Sequence, residues 1–338
     1  MELRRLCFSQ VVVLFCYIGL LRAQGVPPHT VRDTSSPAVQ MIAVENGVKL
    51  EVLDWGGTGR PLVLLAGKGF TAHEFDQFAP TLTAKHHVYG ITRRGYGNSC
   101  VPPPTDANYS AERLGDDVLA VMEQLKLARP VLVGHSFAGE ELSFIGTHAP
   151  NRVAGLVYLD AGYAYSFYDA ATGDLAIDYD TLRRQLEGFT ALAPMKERKE
   201  LLAAIAATLP RFEKDLAPYE ARFAAMPDNA PAPADTMANR VDVAIFRGEQ
   251  KFGRVKCPVL AIYADPHSFG DRFKDHPAAL KAAQDKDRAE TSAQADAFSR
   301  GNPQAVVIRI PNADHFIFRS NGAEVRKAMD DFIGTLPK

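Results

Sequence analysis

The stretch that decides the fold is VLVGHSFAGEELS, Val131–Ser143, in which a serine stands between a histidine and a phenylalanine just after an apolar run. If the run is a strand and a helix follows, Ser136 occupies the sharp turn between them. Gly134, Ala138 and Gly139 supply the small side chains that such a turn requires. The turn would expose the serine hydroxyl at the carboxyl edge of a sheet, near the positive end of the following helix, which is a suitable place for a nucleophile.

Around this turn, short apolar runs alternate with helical patterns, which favours a mostly parallel central sheet flanked by helices. Between Ala111 and Leu127 the apolar residues recur at spacings of three and four, as in a helix that buries one face. The runs that we predict to be strands are residues 48–53, 61–66, 87–91, 130–133, 153–159, 258–263 and 305–310. The sequence therefore predicts an α/β protein.

The distance between two of these runs indicates an insertion. About 100 residues separate Leu159 from Pro258, which is too long for a loop in a compact domain. The segment is rich in Ala, Leu, Lys and Glu, and it is typical of a set of helices. We therefore predict a core of residues 39–160 and 251–338 that carries a helical insertion of residues 161–250.

The composition limits the classes of partner. The chain has 338 residues, of which 46% are hydrophobic and 23% charged, and a formal net charge of -2. This composition is that of a globular protein with a large core. Because acidic and basic residues are interspersed and no long basic run occurs, nucleic acid is not an expected partner. A small-molecule substrate is the expected one, and the sequence predicts no particular oligomeric state.

The N-terminus has the pattern of a secretory signal. Basic residues precede the apolar run Val11–Leu21, and the small residue Ala23 follows it. The run has about 11 residues, whereas a membrane-spanning helix needs about 20, so the alternative of a membrane anchor is less favoured. We expect residues 1–23 to be a signal peptide and residues 24–38 a flexible tether. The mature protein would then be secreted or periplasmic, without stable membrane insertion.

Export would leave two cysteines, Cys100 and Cys257, in a compartment that permits disulfides. Cys257 begins a predicted strand, whereas Cys100 follows the carboxyl end of another, so the two lie at opposite edges of the sheet. A strand is about 20 Å long, and bridged cysteines need Cα atoms within about 7 Å. We therefore predict two free thiols.

A serine nucleophile needs a base within hydrogen-bond reach and an acid that orients the base. His315 lies in the loop after the last predicted strand, where such a base would be delivered. Two acids also follow predicted strands, Asp160 in VYLDAGY and Asp265 in AIYADPH, and each gives the chain order Ser, acid, His. No metal-binding spacing such as HExxH occurs, and we expect neither a metal nor an organic cofactor.

Four motifs together resemble the α/β-hydrolase superfamily, from Val44 to the end of the chain. The resemblance is closest to the small-cap branch that includes haloalkane dehalogenases, epoxide hydrolases and many esterases. It implies a mostly parallel sheet with a helical cap, residues 161–250, inserted after the sixth strand. The turn at Ser136 departs from the family pattern only in having Ala138 at its last position. The other three motifs are LLAGKGFTAHEF (64–75), RRGYGNS (93–99) and NADHF (312–316).

The resemblance also implies roles for backbone groups near the serine. The backbone N–H groups of Lys68 and Phe137 match the pair that forms the oxyanion hole. The side chain of Lys68 is left with two interpretations, attraction of acidic substrates or contact with the lid. The aromatic residues that begin the cap, at positions 163, 165, 167 and 168, are equally open between substrate contact and packing.

For the acid, the family pattern leaves two positions. Most members place it after the seventh strand, and the matching position here is His267, with Asp265 two residues earlier. Other members place it after the sixth strand, as VYLDAGY does, so the resemblance favours Asp160.

These residues predict an exported serine hydrolase that cleaves a small ester through Ser136, His315 and Asp160. Dehalogenases and epoxide hydrolases of this fold need a carboxylate nucleophile, and position 136 carries a serine. Amide cleavage, carbon–carbon bond hydrolysis, acyl transfer and perhydrolysis remain alternatives for the same three residues. A homologue that binds a small ligand without catalysis is an alternative of another class.

Overall fold

The computed structural model describes residues 37–337 apart from residues 225, 230, 231 and 274. The predicted signal peptide, and the predicted tether up to residue 36, lie outside the described residues. Strands alternate with helices along the described chain. The strands are β1 (Ala38–Glu45), β2 (Val48–Gly56), β3 (Arg60–Leu65), β4 (His86–Ile91), β5 (Val131–His135), β6 (Gly155–Leu159), β7 (Val259–Ala264) and β8 (Ala305–Ile310).

The helices flank the sheet or lie in the segment between β6 and β7. None of those in the described chain combines the length and the apolar character that crossing a membrane requires. They are α1 (Asp106–Tyr109), α2 (Ala111–Gln124), α3 (Gly139–His148), α4 (Leu175–Thr190), α5 (Met195–Ala224), α6 (Met237–Arg247), α7 (Pro277–Gly301), α8 (Ile317–Ser320) and α9 (Gly322–Gly334).

The described residues form one sheet of eight strands in the order β1-β2-β4-β3-β5-β6-β7-β8. Strand β2 pairs antiparallel with β1 and β4, and the remaining pairs are parallel. The predicted α/β fold with a mostly parallel sheet is confirmed. The predicted runs all fall on strands, although the strand in the fifth run, β6, begins two residues later than predicted, at Gly155.

Strand β1 was not predicted. It lies at the edge of the sheet and pairs with β2 alone. Its residues Val39 and Met41 are 57% and 43% exposed, so the strand lacks the buried apolar run by which the other strands were identified. Edge strands with one solvated face carry a weaker hydrophobic pattern than strands buried on both faces.

The sheet brings four loops to one edge. Strands β5, β6, β7 and β8 are consecutive neighbours and parallel, so their carboxyl ends lie side by side. Every residue of β5, β6 and β7 is buried, because helices cover both faces of the sheet. The loops that follow these strands are the expected location of a ligand site in a sheet of this kind.

The segment between β6 and β7 contains α4, α5 and α6, and α6 packs next to the predicted nucleophile turn. Val241, Ala244 and Ile245 of α6 are buried in a cluster that also holds Phe137. The segment is therefore held against the core beside Ser136. Its description as a cap with boundaries at residues 161 and 250 remains a prediction.

Cys100 and Cys257 are both free, as predicted. Cys257 is buried, and burial raises the pKa of its thiol to about 12. The Sγ atom of Cys100 accepts a hydrogen bond from the backbone N–H of Lys49 at 3.3 Å.

A buried ion pair joins the RRGYGNS motif to helix α2. Arg94 is completely buried, and its Nε and Nη2 atoms each donate to one carboxylate oxygen of Asp117 at 2.6 Å. The Nη2 atom also lies 2.9 Å from Glu45 Oε1 on β1. Removing one partner of a buried pair is strongly destabilising because the remaining charge stays away from water.

We therefore predict that Asp117→Ala lowers the free energy of unfolding by about 3 kcal/mol. The matched control is Asp116→Ala, since Asp116 is the preceding residue of the same helix and is exposed; its effect should be within about 0.5 kcal/mol. Urea unfolding of the two variants measures the difference. Equal effects would contradict the assignment of Arg94 and Asp117 as a stabilising buried pair.

Candidate active site

The turn at Ser136 is a short helical turn between β5 and α3. Ser136 has a φ of 52°, in the left-handed region that residues other than glycine seldom adopt. An added Cβ on Gly139 would lie 2.1 Å from the carbonyl oxygen of Ala161, and one on Gly134 would lie 2.9 Å from Leu142 Cδ1. The small residues noted in the sequence are therefore needed, because neighbouring segments approach the turn closely.

Ser136, His315 and Asp160 form one continuous chain of hydrogen bonds. The Nε2 atom of His315 is 2.8 Å from Ser136 Oγ, and its Nδ1 atom is 2.7 Å from Asp160 Oδ2. Since a carboxylate only accepts, Nδ1 carries the proton and Nε2 is left to accept from the serine hydroxyl. The structure therefore brings together the three side chains that the sequence proposed for catalysis, although they come from the loops after three different strands.

Asp160 is fully buried and has further partners. Its Oδ1 atom accepts from Tyr163 Oη at 2.9 Å and from the backbone N–H of Ala264 at 3.1 Å. Burial alone would raise the pKa of Asp160, but the charges and hydrogen bonds of His267 and His315 outweigh burial and hold the pKa well below its usual range. Asp160 is therefore a carboxylate at neutral pH.

Asp265, the other candidate acid, has different partners. Its carboxylate accepts from Ser292 Oγ at 2.9 and 2.8 Å and lies 3.3 Å from Arg309 Nη1. Within the described residues it makes no hydrogen bond to His315. The geometry thus selects Asp160, and not Asp265, as the partner of His315.

Sequence reasoning did not assign any role to His267. This residue follows β7, and its Nε2 atom lies 2.7 Å from the same Asp160 oxygen that binds His315. Its Nδ1 atom lies 2.9 Å from Asp287 Oδ1 on α7. The sequence held one possible signal, since His267 occupies the position at which most members of the resembled family place the acid. The partner Asp287, 20 residues further on, had no recognisable signal.

A second buried carboxylate, that of Glu74, holds the segment of residues 64–75 that contains Lys68, which we call the oxyanion loop. The backbone N–H of Gly67 donates to Glu74 Oε1 at 3.0 Å, and the same oxygen lies 3.2 Å from His135 Nδ1. An added Cβ on Gly67 would lie 3.3 Å from Ser136 Cβ, so the loop runs directly against the nucleophile turn. In the chain Lys68 follows Gly67 and Phe137 follows Ser136, so their backbone N–H groups belong to the two segments that meet here, as an oxyanion hole would require.

The side chain of Lys68 is buried and contacts the inserted helices. Its Nζ atom is 3.6 Å from Asp242 Oδ2 and 3.9 Å from the centre of the Phe246 ring, both on α6. Burial lowers the pKa of Lys68 to about 8, although Asp242 raises it. Of the two interpretations left open by the sequence, contact with the inserted segment is the one that the geometry supports.

The aromatic residues after β6 divide between the site and the packing. Tyr163 donates to Asp160, and the ring of Tyr165 lies 5.0 Å from that of Phe137. The ring of Phe167 packs 6.0 Å from Phe298, in the core. Tyr163 therefore lies against Asp160 and Tyr165 against the turn at Ser136, and contact of either with a substrate stays a prediction.

Asp160, His267 and His315 bring three ligand-type atoms within 4.8 Å of one another, as a metal site would. The atoms are already joined by hydrogen bonds of 2.7 Å, and the second nitrogen of His315 is used by Ser136. The grouping is thus explained as a hydrogen-bonded chain, and we assign no metal ligands.

Comparison with known proteins gives a family match over most of the chain. The profile of the alpha/beta hydrolase family matches residues 62–328. A fluoroacetate dehalogenase from a Burkholderia species is 33% identical over 116 residues, which cover 34% of this chain and 38% of that protein. Epoxide hydrolase A from Mycobacterium tuberculosis is 37% identical over 95 residues, which cover 27% of this chain and 29% of that protein. The chain thus spans less than half of each of these relatives.

Solved structures match over a larger share of the chain. A hydrolase from Pseudomonas aeruginosa aligns with a TM-score of 0.55 at 20% identity, covering 88% of this chain and 98% of that one. At 20% identity this match shows a shared fold and gives no information about the reaction.

The choice between the two acids can be tested by substitution. We predict that Asp160→Asn slows the reaction of Ser136 with a fluorophosphonate by about 10³-fold or more, because His315 loses the carboxylate that orients it. Asp265→Asn is the matched control and should react within about threefold of the wild-type rate, since Asp265 lies outside the chain of hydrogen bonds. Mass spectrometry of the labelled protein measures both rates, and a stronger effect at Asp265 would reverse the assignment.

Proposed function

Because the chain belongs to the alpha/beta hydrolase family, we propose that it is a serine hydrolase that cleaves a carboxylic ester of a small molecule. The observation that carries the proposal is the chain of hydrogen bonds from Ser136 Oγ through His315 to the buried carboxylate of Asp160. This arrangement serves to activate an alcohol as a nucleophile, since a free serine is a weak nucleophile at neutral pH.

In the proposed first half-reaction, Ser136 Oγ attacks the carbonyl carbon of the ester while His315 Nε2 takes the hydroxyl proton. The negative charge that develops on the carbonyl oxygen is stabilised by the backbone N–H groups of Lys68 and Phe137. Collapse of the tetrahedral species breaks the bond to the leaving alkoxide, which takes the proton from the His315 imidazolium. The products of this half are an alcohol and an acyl group on Ser136.

The second half-reaction repeats these steps with water. His315 takes a proton from water as the water oxygen attacks the acyl carbon, and the same N–H groups stabilise the oxyanion. The proton returns to Ser136 Oγ as the acyl bond breaks, and a carboxylic acid leaves. In both halves Asp160 stays ionised and stabilises the imidazolium.

The names of the two relatives point to other reactions, but the nucleophile separates them from this chain. Dehalogenation and epoxide opening on this fold need a carboxylate that forms an alkyl ester, and Ser136 is the residue at the turn here. The relatives match over 38% and 29% of their own lengths, so their substrates carry little weight for this protein. Carbonyl chemistry suits the serine better.

We extend the proposal to two features that the sequence predicted. The inserted helices are proposed to act as a cap, which the contact of Lys68 with α6 supports.

Residues 1–23 are proposed to direct export, and this proposal rests on their sequence pattern. N-terminal sequencing of the protein recovered outside the cytoplasm should begin near residue 24.

The central test is the variant Ser136→Ala. It should retain the circular dichroism spectrum of the wild type and hydrolyse p-nitrophenyl acetate at least about 10³-fold more slowly, because the nucleophile is lost. The wild type should show a burst of p-nitrophenol, since the acyl-enzyme accumulates, and should be labelled by a fluorophosphonate at Ser136.

Thr147→Ala is a suitable control, because Thr147 lies on α3 after the turn and its hydroxyl has no hydrogen-bond partner within the described residues. It should keep the wild-type rate. A Ser136→Ala protein that hydrolyses the ester as fast as the wild type would overturn the proposal, and so would a wild type that the fluorophosphonate leaves unlabelled.

A further inference from the structure

One oxygen of Asp160 is shared by two histidines. His315 Nδ1 and His267 Nε2 each lie 2.7 Å from Asp160 Oδ2. Catalysis by a serine, a histidine and an acid needs only the first of these contacts. The second contact therefore calls for its own explanation.

The protonation state of His267 follows from its partners. Its Nε2 atom faces a carboxylate oxygen of Asp160, and its Nδ1 atom faces a carboxylate oxygen of Asp287 at 2.9 Å. Because ionised carboxylates only accept hydrogen bonds, both ring nitrogens must donate, and a histidine that donates from both is an imidazolium. His267 is thus a fixed positive charge between two acids.

The position of the ring is also fixed. The backbone N–H of His267 donates to Asp287 Oδ2 at 2.7 Å, so the carboxylate of Asp287 binds both the main chain and the ring of the same residue. The side chains of His267 and Asp287 are 17% and 21% exposed, which limits the screening of their interaction by water. Asp287 therefore orients His267 toward Asp160, as a second carboxylate orients a metal-binding histidine in other proteins.

We propose that His267, held by Asp287, is a positioning residue of the active site that keeps Asp160 ionised and directs its Oδ2 atom to His315. His267 contacts neither Ser136 nor, by this proposal, the substrate, so it acts through its hydrogen bond to Asp160 and through the effect of its charge on His315. The inference deepens the proposed function and rests on it.

The charges around His267 and His315 give the inference a measurable consequence. His267 faces Asp160 and Tyr163 from the β6 loop, Asp287 from α7 and His315 from the β8 loop. His315 faces His135, whose ring lies 4.8 Å away and is paired with Glu74. His315 also lies beside Asp314 in the chain.

Burial alone would lower the pKa of His267, but Asp160 and Asp287 raise the pKa to about 10. The positive charge therefore persists over the neutral range.

A nearby positive charge opposes the protonation of His315. The two rings are 6.1 Å apart and share one carboxylate oxygen, so the positive charge of His267 repels a second positive charge on His315 and offsets part of the attraction of Asp160. Protonated His315 cannot act as a base. His267 thus extends the activity of Ser136 toward lower pH.

The test uses two substitutions of His267 and a matched control. His267→Gln places a neutral N–H near the position of Nε2, so it removes the charge and keeps a donor to Asp160. His267→Leu removes both. Arg309→Gln removes another cation near the same edge of the sheet, one that pairs with Asp265 and Asp296 and makes no hydrogen bond to Asp160 within the described residues.

The measurement is the pH dependence of the rate at which Ser136 reacts with a fluorophosphonate. In His267→Gln the midpoint of the acid limb should move up by about one pH unit, because His315 is no longer opposed by a cation. In His267→Leu it should move at least as far, with a loss of rate on the plateau of about tenfold or more. In Arg309→Gln it should stay within about 0.2 units of the wild type.

A second readout reports on His267 itself. In the ¹⁵N-histidine spectrum of the wild type, the signals that disappear in His267→Gln should be those of an imidazolium at pH 7.5. In Asp287→Asn this ring should lose its proton at a lower pH, because one of the two carboxylates that stabilise the cation is gone.

Two results would overturn the inference. One is an acid limb that does not move in the His267 variants, even if their rates fall, because that is the behaviour of a merely structural residue. The other is a neutral His267 ring at pH 7.5. In both cases a wild type that is still labelled at Ser136 leaves the proposed function standing, whereas an unlabelled wild type refutes the proposed function itself.

Discussion

The candidate active site depends on the burial of one carboxylate. Asp160 is fully buried at the end of β6, where an unpaired negative charge would be strongly unfavourable. It is stabilised there by two histidines, a tyrosine hydroxyl and a backbone N–H group, which occupy both of its oxygens. Each of these groups is thereby fixed in place, and His315 is presented to Ser136 with the tautomer that a base requires. Because a buried carboxylate needs hydrogen-bond donors and positive charge around it, the burial of Asp160 fixes the positions of the residues that supply them.

The sheet makes this arrangement possible. Strands β5, β6, β7 and β8 are parallel neighbours, so the loops that carry Ser136, Asp160, His267 and His315 meet at one edge although they span about 180 residues of sequence. The close approach at Gly139 and Gly67 lets the turn, the β6 loop and the oxyanion loop pack without separation. Glu74 and His135 join the oxyanion loop to β5, next to Ser136 in the chain. The site is thus built on rigid elements, which supports a fixed geometry around the reacting atoms.

Much of this could be predicted from the sequence, for identifiable physical reasons. The buried parallel strands have continuous apolar runs, and the turn at Ser136 has a distinctive set of small residues, so both were recognised. Chain order could not separate Asp160 from Asp265, because both follow neighbouring strands and only the side-chain directions differ. His267 was missed since its role depends on Asp287, which lies 20 residues further along the chain in α7 and carries no recognisable motif. The edge strand β1 was missed because it is half exposed. The burial of the Lys68 side chain could not be predicted either, because it depends on how α6 packs against the core.

The claim that Asp160 is a buried, ionised centre shared by two histidines can be tested directly by ¹H NMR of the ¹⁵N-histidine-labelled protein at neutral pH. Short hydrogen bonds from imidazole nitrogens to a carboxylate shift the N–H protons far downfield. We expect such protons on His315 Nδ1 and on His267 Nε2, and the loss of both in a protein in which Asp160 is replaced by asparagine, whereas the proton on His267 Nδ1, which faces Asp287, should remain. Persistence of the two protons on His315 Nδ1 and His267 Nε2 in that variant, or their absence from the wild type, would contradict the account.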